Sequence, residues 1–477
     1  MTHITEARAG IQPRILQGAT AILVTMSLGV LIAQIDTSVV NLAVKKIGAS
    51  LGAGVTELQW VVDAYNLVYA SLLLTAGTLA DLYGRRRIFA LGIALFTLGS
   101  LVCGFAPNAA VLIGGRAVAG LGAALEIPTS LAILTVAYQD KKERAHALGV
   151  WASCNGLAFI IGPTLGGVLV DSVGWRSIFL LIVPICVLAL VLTMTSVPES
   201  TDPKGRSLDA PGQALAIAGL GALSLAVIEG PRWGWESIGS AAAFVASALS
   251  ALLFVLRQKD SNGALVPLAM FKNRVFSASL GIAAAMTFGM YAMLFLTPLY
   301  LQAGRGDGAL LAAIELLPMS VTFVVVSQLS GKIANAYGPR LPMTLGMAMM
   351  GTGLFMLALI PLNHSLLLIE AALLVIGCGL GLNTGPVNAV AVANASSARS
   401  GTASGLLNTA RMVGATLGVA LLGAIFAMFS GGSGSGHVAA GLPPAFIVGG
   451  IGEMLGALAA FMFIRRDSLD PSAGRSS

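Results

Sequence analysis

Residues 77–87 read GTLADLYGRRR, and residues 331–340 read GKIANAYGPR. The two stretches align without a gap. Gly77, Ala80, Tyr83, Gly84 and Arg86 stand opposite Gly331, Ala334, Tyr337, Gly338 and Arg340, while Asp81 faces Asn335 and Arg85 faces Pro339. A polar loop that returns in the second half of a chain marks an internal duplication, and what lies around the two copies decides the fold. Gly84 suits the tight backbone turn of a short interhelical loop, and Arg85 to Arg87 suit a loop held on one side of a membrane.

The surroundings are apolar. Of 477 residues 56% are hydrophobic and 10% charged, with mean hydropathy +0.87, against about 25% charge in an average soluble domain. Crossing the hydrocarbon core takes about 20 apolar residues as helix. Fourteen runs approach or exceed that length: 19–44, 58–79, 88–105, 109–136, 147–170, 178–197, 213–228, 238–256, 275–301, 310–329, 341–360, 365–393, 401–429 and 445–464. In lipid every backbone polar group must be satisfied within its own segment, so such runs read as helices. A membrane β-barrel would alternate in hydrophobicity instead. The fold class is therefore an all-α polytopic membrane protein with 14 spans.

The net charge of +6 is no nucleic-acid footprint. With the N-terminus placed in the cytoplasm, 20 of the 27 Lys and Arg residues fall in cytoplasmic segments and 5 in the opposite loops (Lys45, Lys46, Arg176, Arg232, Arg305), leaving Arg116 and Arg411 within spans. This bias puts both termini in the cytoplasm and the chain in the cell (inner) membrane. The first span reads as retained, because its apolar run is longer than a signal-peptide core. The four cysteines, Cys103, Cys154, Cys186 and Cys378, fall within spans with no disulfide or metal spacing, and no metal or cofactor is expected.

The two loop copies are eight spans apart. If each half has six spans, two more must lie between the halves, giving an N-terminal bundle over 1–200, two inserted transmembrane helices with their linkers over 201–262, and a C-terminal bundle over 263–477. Parallel halves with a substrate site between them near the midplane are a known transporter design.

Here the motifs become specific. GTLADLYGRRR resembles the loop signature of the major facilitator superfamily, and IIGPTLGG (160–167) resembles the span-five signature of its antiporters. IDTSVVNLA (35–43), the arginine of IGGRAVAGLGAA (113–124) and GLLNTARMVGATLGVALLG (405–423) fit the same family. With its two added spans the chain resembles the fourteen-span drug:proton antiporters of EmrB/QacA type. The resemblance implies the major facilitator fold, alternating access, and a proton-coupling role for the span-one acid and the span-four arginine. The second loop copy lacks the acid, so a conformational latch built from Gly77, Asp81, Gly84 and Arg85 applies to the first half; a topological anchor is the plainer reading.

An ionisable group at the bilayer centre costs about 2.5–3.5 kcal/mol on insertion scales and is functional by default. Asp36 and Arg116 lie at similar depth and form the preferred proton-coupling pair, with a static packing pair as the alternative. Glu126, before Pro128, and Glu315, before Pro318, repeat an acid-then-proline pattern and are candidates for carrying a proton or binding a cationic substrate. Tyr65, Asn66, Tyr291 and Asn383 are further substrate-contact candidates, with interfacial or packing roles as their alternatives. Gly156, Gly162, Pro163, Gly166 and Gly167 make a bent, closely packed span five. Arg411 and Glu453 are a second-half charge set whose pairing the sequence leaves open.

No phosphate-binding GxxxxGK[ST] sequence occurs, so energy must come from an ion gradient. The expected protein is no enzyme but a monomeric, proton-coupled exporter of amphipathic or cationic small molecules. Its partners are substrate, protons and the lipid bilayer. The alternative is a dedicated exporter or facilitator of one metabolite, siderophore or amino acid.

Overall fold

The computed structural model describes residues 12–202, 208–260, 265–360, 365–395, 399–430 and 435–469. Parts of the expected linkers, 203–207 and 261–264, lie outside the described residues, as does the segment 1–11. The described residues form fourteen long helices: α1 (Gln12–Leu51), α2 (Val55–Tyr83), α3 (Arg85–Gly104), α4 (Ala109–Ala137), α5 (Lys141–Ser172), α6 (Ser177–Ser196), α7 (Ala210–Trp233), α8 (Ile238–Asp260), α9 (Arg274–Leu299), α10 (Ala309–Tyr337), α11 (Arg340–Ala358), α12 (Leu366–Ala393), α13 (Ser400–Ser430) and α14 (Ser435–Phe463). A π-turn, Tyr300–Gly304, extends α9. No strand occurs among the described residues, as expected where each segment must satisfy its own backbone.

Thirteen of these helices are long and apolar enough to cross a membrane. The other is α2, which has 29 residues. Its apolar run is diluted by Gln59, Asp63, Asn66 and Ser71, all buried within the protein. A span that shows its polar side chains to other helices rather than to lipid need not be uniformly apolar. Because the helices run up and down, we call the face where α1 starts proximal and the face where α1 ends distal.

Glycines set the closest approaches. A Cβ on Gly99 would lie 2.5 Å from the Ala119 amide and one on Gly122 2.6 Å from the Phe96 amide, so α3 and α4 touch backbone to backbone. In the last six helices, Gly346 and Gly379 bring α11 and α12 together in the same way. The loop copies are also alike in structure. Gly84 has φ +109° and Gly338 φ +82°, a region that disfavours any side chain. Each glycine abuts the chain leaving its bundle: Gly84 lies against the Glu199 carboxylate, three residues past α6, and Gly338 against the Arg466 backbone, three residues past α14.

Two seams join the first six helices to the last six, α2 against α13 and α5 against α10. Helix α7 packs on both α2 and α13, whereas α8 packs chiefly on α7 and turns Val245, Leu249 and Leu252 outward. Toward α2 the contacts of α7 are polar. Gln213 accepts a hydrogen bond from Thr75 and donates to the Ser71 carbonyl at 2.6 Å, and Trp60 donates to Glu229 at 2.9 Å. Toward α13 they are apolar, through Val227 and Ile228 against Ala420 and Ala424.

Candidate functional site

Asp36 sits in α1, Arg116 in α4, and the structure brings them together. Arg116 Nη1 donates to Asp36 Oδ2 at 2.5 Å, its Nε donates to the Val61 carbonyl at 3.0 Å, and its guanidinium lies 4.5 Å from the Tyr65 ring centroid. Both charged residues are fully buried, at 0% and 1% exposure. A carboxylate and a guanidinium removed from water are tolerable when they face each other and their remaining donors are occupied. Here the Val61 carbonyl and the Tyr65 ring supply the extra partners for Arg116. Asp36 Oδ1 has no hydrogen-bond partner. Tyr65, expected from sequence as a substrate contact, lies over the cation of this pair, and its neighbour Asn66 is buried with both amide atoms unpartnered.

Glu126 is also buried, yet stands apart from that pair. Its carboxyl group lies against Gly29 of α1 and near Phe89 of α3, the space being available because Gly29 has no Cβ, and its Oε1 has no partner. Asp63 in α2 is enclosed with both oxygens unpartnered, Ser224 of α7 being the polar group beside it. Glu315, near the distal end of α10, lies 3.9 Å from Arg305, which pairs with Asp307 at 3.1 Å.

Arg411 and Glu453 do not meet. Glu453 of α14 is wholly buried against Gly289 of α9, with neither oxygen hydrogen-bonded to a side chain. Arg411 of α13 is partly exposed. Its Nη2 reaches only the Thr384 carbonyl, at 3.4 Å, and its Nε has no partner. Tyr69 of α2 and Tyr291 of α9 stand within electrostatic range of it. Asn383 is buried, its amide directed at Met347 Sδ, 3.1 Å away.

The glycines of span five divide between two neighbours. Gly162 and Gly166 face α1 at Ser38 and Val39, whereas Gly167 faces α10, where a Cβ would lie 2.7 Å from Leu310 Cα. Gly156, nearer the middle, faces Val324 of α10, and Phe159 stacks edge-on against Phe323 at 5.7 Å. In the loop, Asp81 binds Arg85 at 2.8 Å within one helical turn. The anion at the α3 N-terminus is Glu199, which accepts from the backbone N–H groups of Arg86 and Arg87 at 3.0 and 3.3 Å, the position a helix dipole favours for negative charge.

Across the seams the polar contacts gather distally. Lys45 donates to the Gln302 carbonyl, Gln302 donates to the Leu42 carbonyl at 2.8 Å, and Asp171 accepts from the Leu310 N–H at 2.8 Å. Gln59 donates to the carbonyls of Val419 and Ala420 at 3.2 Å. Toward the proximal face, α5 before residue 155 and α10 beyond residue 321 are mostly exposed or half-exposed. Along the α5–α10 seam the helices are closed distally and more exposed proximally, while the α2–α13 seam stays in contact toward the proximal side at Gly405 and Leu74. Sequence reasoning missed Tyr69, Gln302, Gln59, Glu199 and Ser224; none stands in a motif, and only a glycine opposite an acid, as at Gly29, leaves even an indirect trace. Among the described residues no group of three or more His, Cys, Asp or Glu side chains is placed to hold a metal.

Charges buried inside a polytopic helical protein whose first six and last six helices meet along two seams fit a membrane carrier. The chain belongs to the major facilitator superfamily, whose family model matches residues 26–419. It is 38% identical over 421 residues to the multidrug resistance protein Stp of Mycobacterium tuberculosis, covering 88% of this chain and 78% of that protein. It is 34% identical over 445 residues to the methylenomycin A resistance protein of Bacillus subtilis, covering 93% and 94%. Against the multidrug efflux pump LfrA of Mycolicibacterium smegmatis it is 33% identical over 438 residues, covering 92% and 86%. Among solved structures, a bacterial homologue of the lysosomal transporter Spinster, inward-facing and unoccupied, matches in fold with TM-score 0.68 at 18% identity, over 94% of this chain and 97% of that one.

Proposed function

We propose that this protein is a proton-coupled exporter of amphipathic small molecules, cationic ones among them, working by alternating access in the cell membrane. The single observation that carries the reading is the sealed Asp36–Arg116 pair, in a protein whose α5–α10 seam is closed distally and exposed proximally. The relatives named as multidrug resistance and efflux proteins support the export of drugs. The basic residues favour the proximal face, which supports cytoplasmic termini and makes the present pose inward-facing. The functional division is 6 + 2 + 6, with α7 and α8 as an insertion between two bundles.

In this reading Asp36 exchanges its salt bridge for a proton. While charged it holds α1 to α4 through Arg116. Once protonated at its unpartnered Oδ1 it no longer attracts the guanidinium, which keeps the Val61 carbonyl and the Tyr65 ring. The tie between α1 and α4 then weakens, and the distal contacts at Lys45, on the same helix, can part. Glu126, sealed against Gly29, is a second place where a proton can be held.

The test is transport by the full chain in proteoliposomes. A proton gradient imposed across the membrane drives ethidium against its concentration, and adding ethidium releases protons in return. If ethidium instead equilibrates at the same rate with and without the gradient, the proton-coupled reading is lost and a facilitator remains.

A further inference from the structure

Arg411 is the charge that the mechanism above does not use. It lies well inside α13, is partly exposed, and makes no ion pair with any carboxylate among the described residues. The acids named from sequence are committed elsewhere. Asp36 is held by Arg116, Glu315 lies beside Arg305 at the distal end, and Glu126 and Glu453 are sealed against glycines of α1 and α9. Arg411 is thus a membrane-embedded guanidinium with one long contact to a carbonyl and a buried Nε that no group accepts from. Such a cation is costly where water is scarce, and it persists where a partner of opposite charge arrives during the working cycle.

Its neighbours belong to both sides of the molecule. Tyr69 comes from the first six helices, Tyr291 and Thr384 from the last six, and Thr287 of α9 fixes the helix locally by donating to the Arg411 carbonyl at 2.6 Å. The α2–α13 approach at Gly405, whose Cβ would lie 3.0 Å from Leu74 Cδ2, continues the seam toward the proximal side. A ligand at Arg411 would lie within electrostatic range of helices from both halves, a position from which occupancy can bias alternation. Two tyrosines within electrostatic range of a planar fork of N–H donors suit an amphiphile carrying a carboxylate or sulfonate, since the guanidinium binds such oxyanions two-handedly.

We propose that Arg411, with Tyr69 and Tyr291, forms a substrate subsite for the oxyanion of anionic or zwitterionic amphiphiles. The proposal deepens the exporter reading and rests on it for its transport consequence, but binding itself is separable. The experiment compares two probes of one shape and opposite charge, 2-naphthoate and 2-naphthylmethylammonium, by equilibrium binding to the detergent-solubilised full chain with empty micelles subtracted. The wild type binds naphthoate; Arg411→Gln weakens naphthoate about tenfold and leaves the ammonium probe within about twofold; Arg411→Lys restores at least part of the naphthoate affinity. Should Arg411→Gln not fold, the wild-type chain still decides, because naphthoate raises its unfolding midpoint and excess methanesulfonate suppresses that rise. No naphthoate binding by the wild type, equal losses of both probes in Arg411→Gln, or unchanged naphthoate affinity there would each overturn the subsite. A wild type that binds naphthoate but transports nothing against a gradient would overturn the exporter reading and leave the subsite standing.

Discussion

The first six helices and the last six treat buried charge differently. In the first, Arg116 grips Asp36 at 2.5 Å and rests on Tyr65; in the last, Arg411 has a carbonyl at 3.4 Å and Glu453 lies elsewhere, enclosed against Gly289. The loop copies differ in the same sense. Arg86 donates to the Val197 carbonyl beside the Glu199 carboxylate, whereas its counterpart Arg340 stacks on Phe461 at 4.1 Å. The two halves share the loop and its positive-φ glycine but differ in their charges. A self-neutralised pair suits a switch and an unanswered cation suits a receptor, so under the proposals above the two halves would divide coupling from recognition.

The largest effect should come from Asp36→Asn. Removing one partner of a buried pair costs about 3–5 kcal/mol, and with the exchangeable charge gone, gradient-driven efflux falls to background while facilitated equilibration survives. Efflux at wild-type rate would erase the contrast between the halves. Gly167→Val comes next. A Cβ there already meets Leu310 Cα at 2.7 Å, and overpacking costs about 1–3 kcal/mol. The distal closure should loosen, seen as faster labelling of a cysteine placed at Asp171.

Glu453→Gln sharpens the comparison from the other side. Since Glu453 has no cationic partner to lose, thermal stability should change by less than about 1 kcal/mol, far less than for Asp36→Asn. A loss equal to that of Asp36→Asn would mean that the last six helices hold a hidden pair. The smallest effect belongs to Asp209, outside the spans. Burial would raise its carboxyl, but hydrogen bonds from Gln258, the Gly212 N–H and Arg257 hold it below the ordinary value. A depressed carboxylate stabilises the fold above its unfolded value, near 4, and that contribution is lost as pH falls through the folded value. Asp209→Asn should therefore cost about 1 kcal/mol at neutral pH and remove part of the acid sensitivity, read from unfolding midpoints between pH 3 and 7.

Much of this was legible in the sequence because it depends on composition along one helix. Run lengths give the spans, and isolated charges in apolar runs mark Asp36, Arg116 and Glu126 as buried groups. The facing of helices was not legible, because it depends on rotation about each axis. Arg411 and Glu453 lie on helices α13 and α14 that do pack together, yet they point to different neighbours. In the loop Asp81 pairs with Arg85, and the helix end is occupied by Glu199, from beyond α6. Nothing local marks a residue that reaches across a hundred positions of chain.

Helix α7 is bonded to α2 but only greased against α13, and it lies over the line where they meet. Among the described helices the α5–α10 line carries no such shutter. In the proposed exporter, an amphiphile approaching from the bilayer would meet one seam covered and the other bare, so a sideways route of entry would be as lopsided as the chemistry inside.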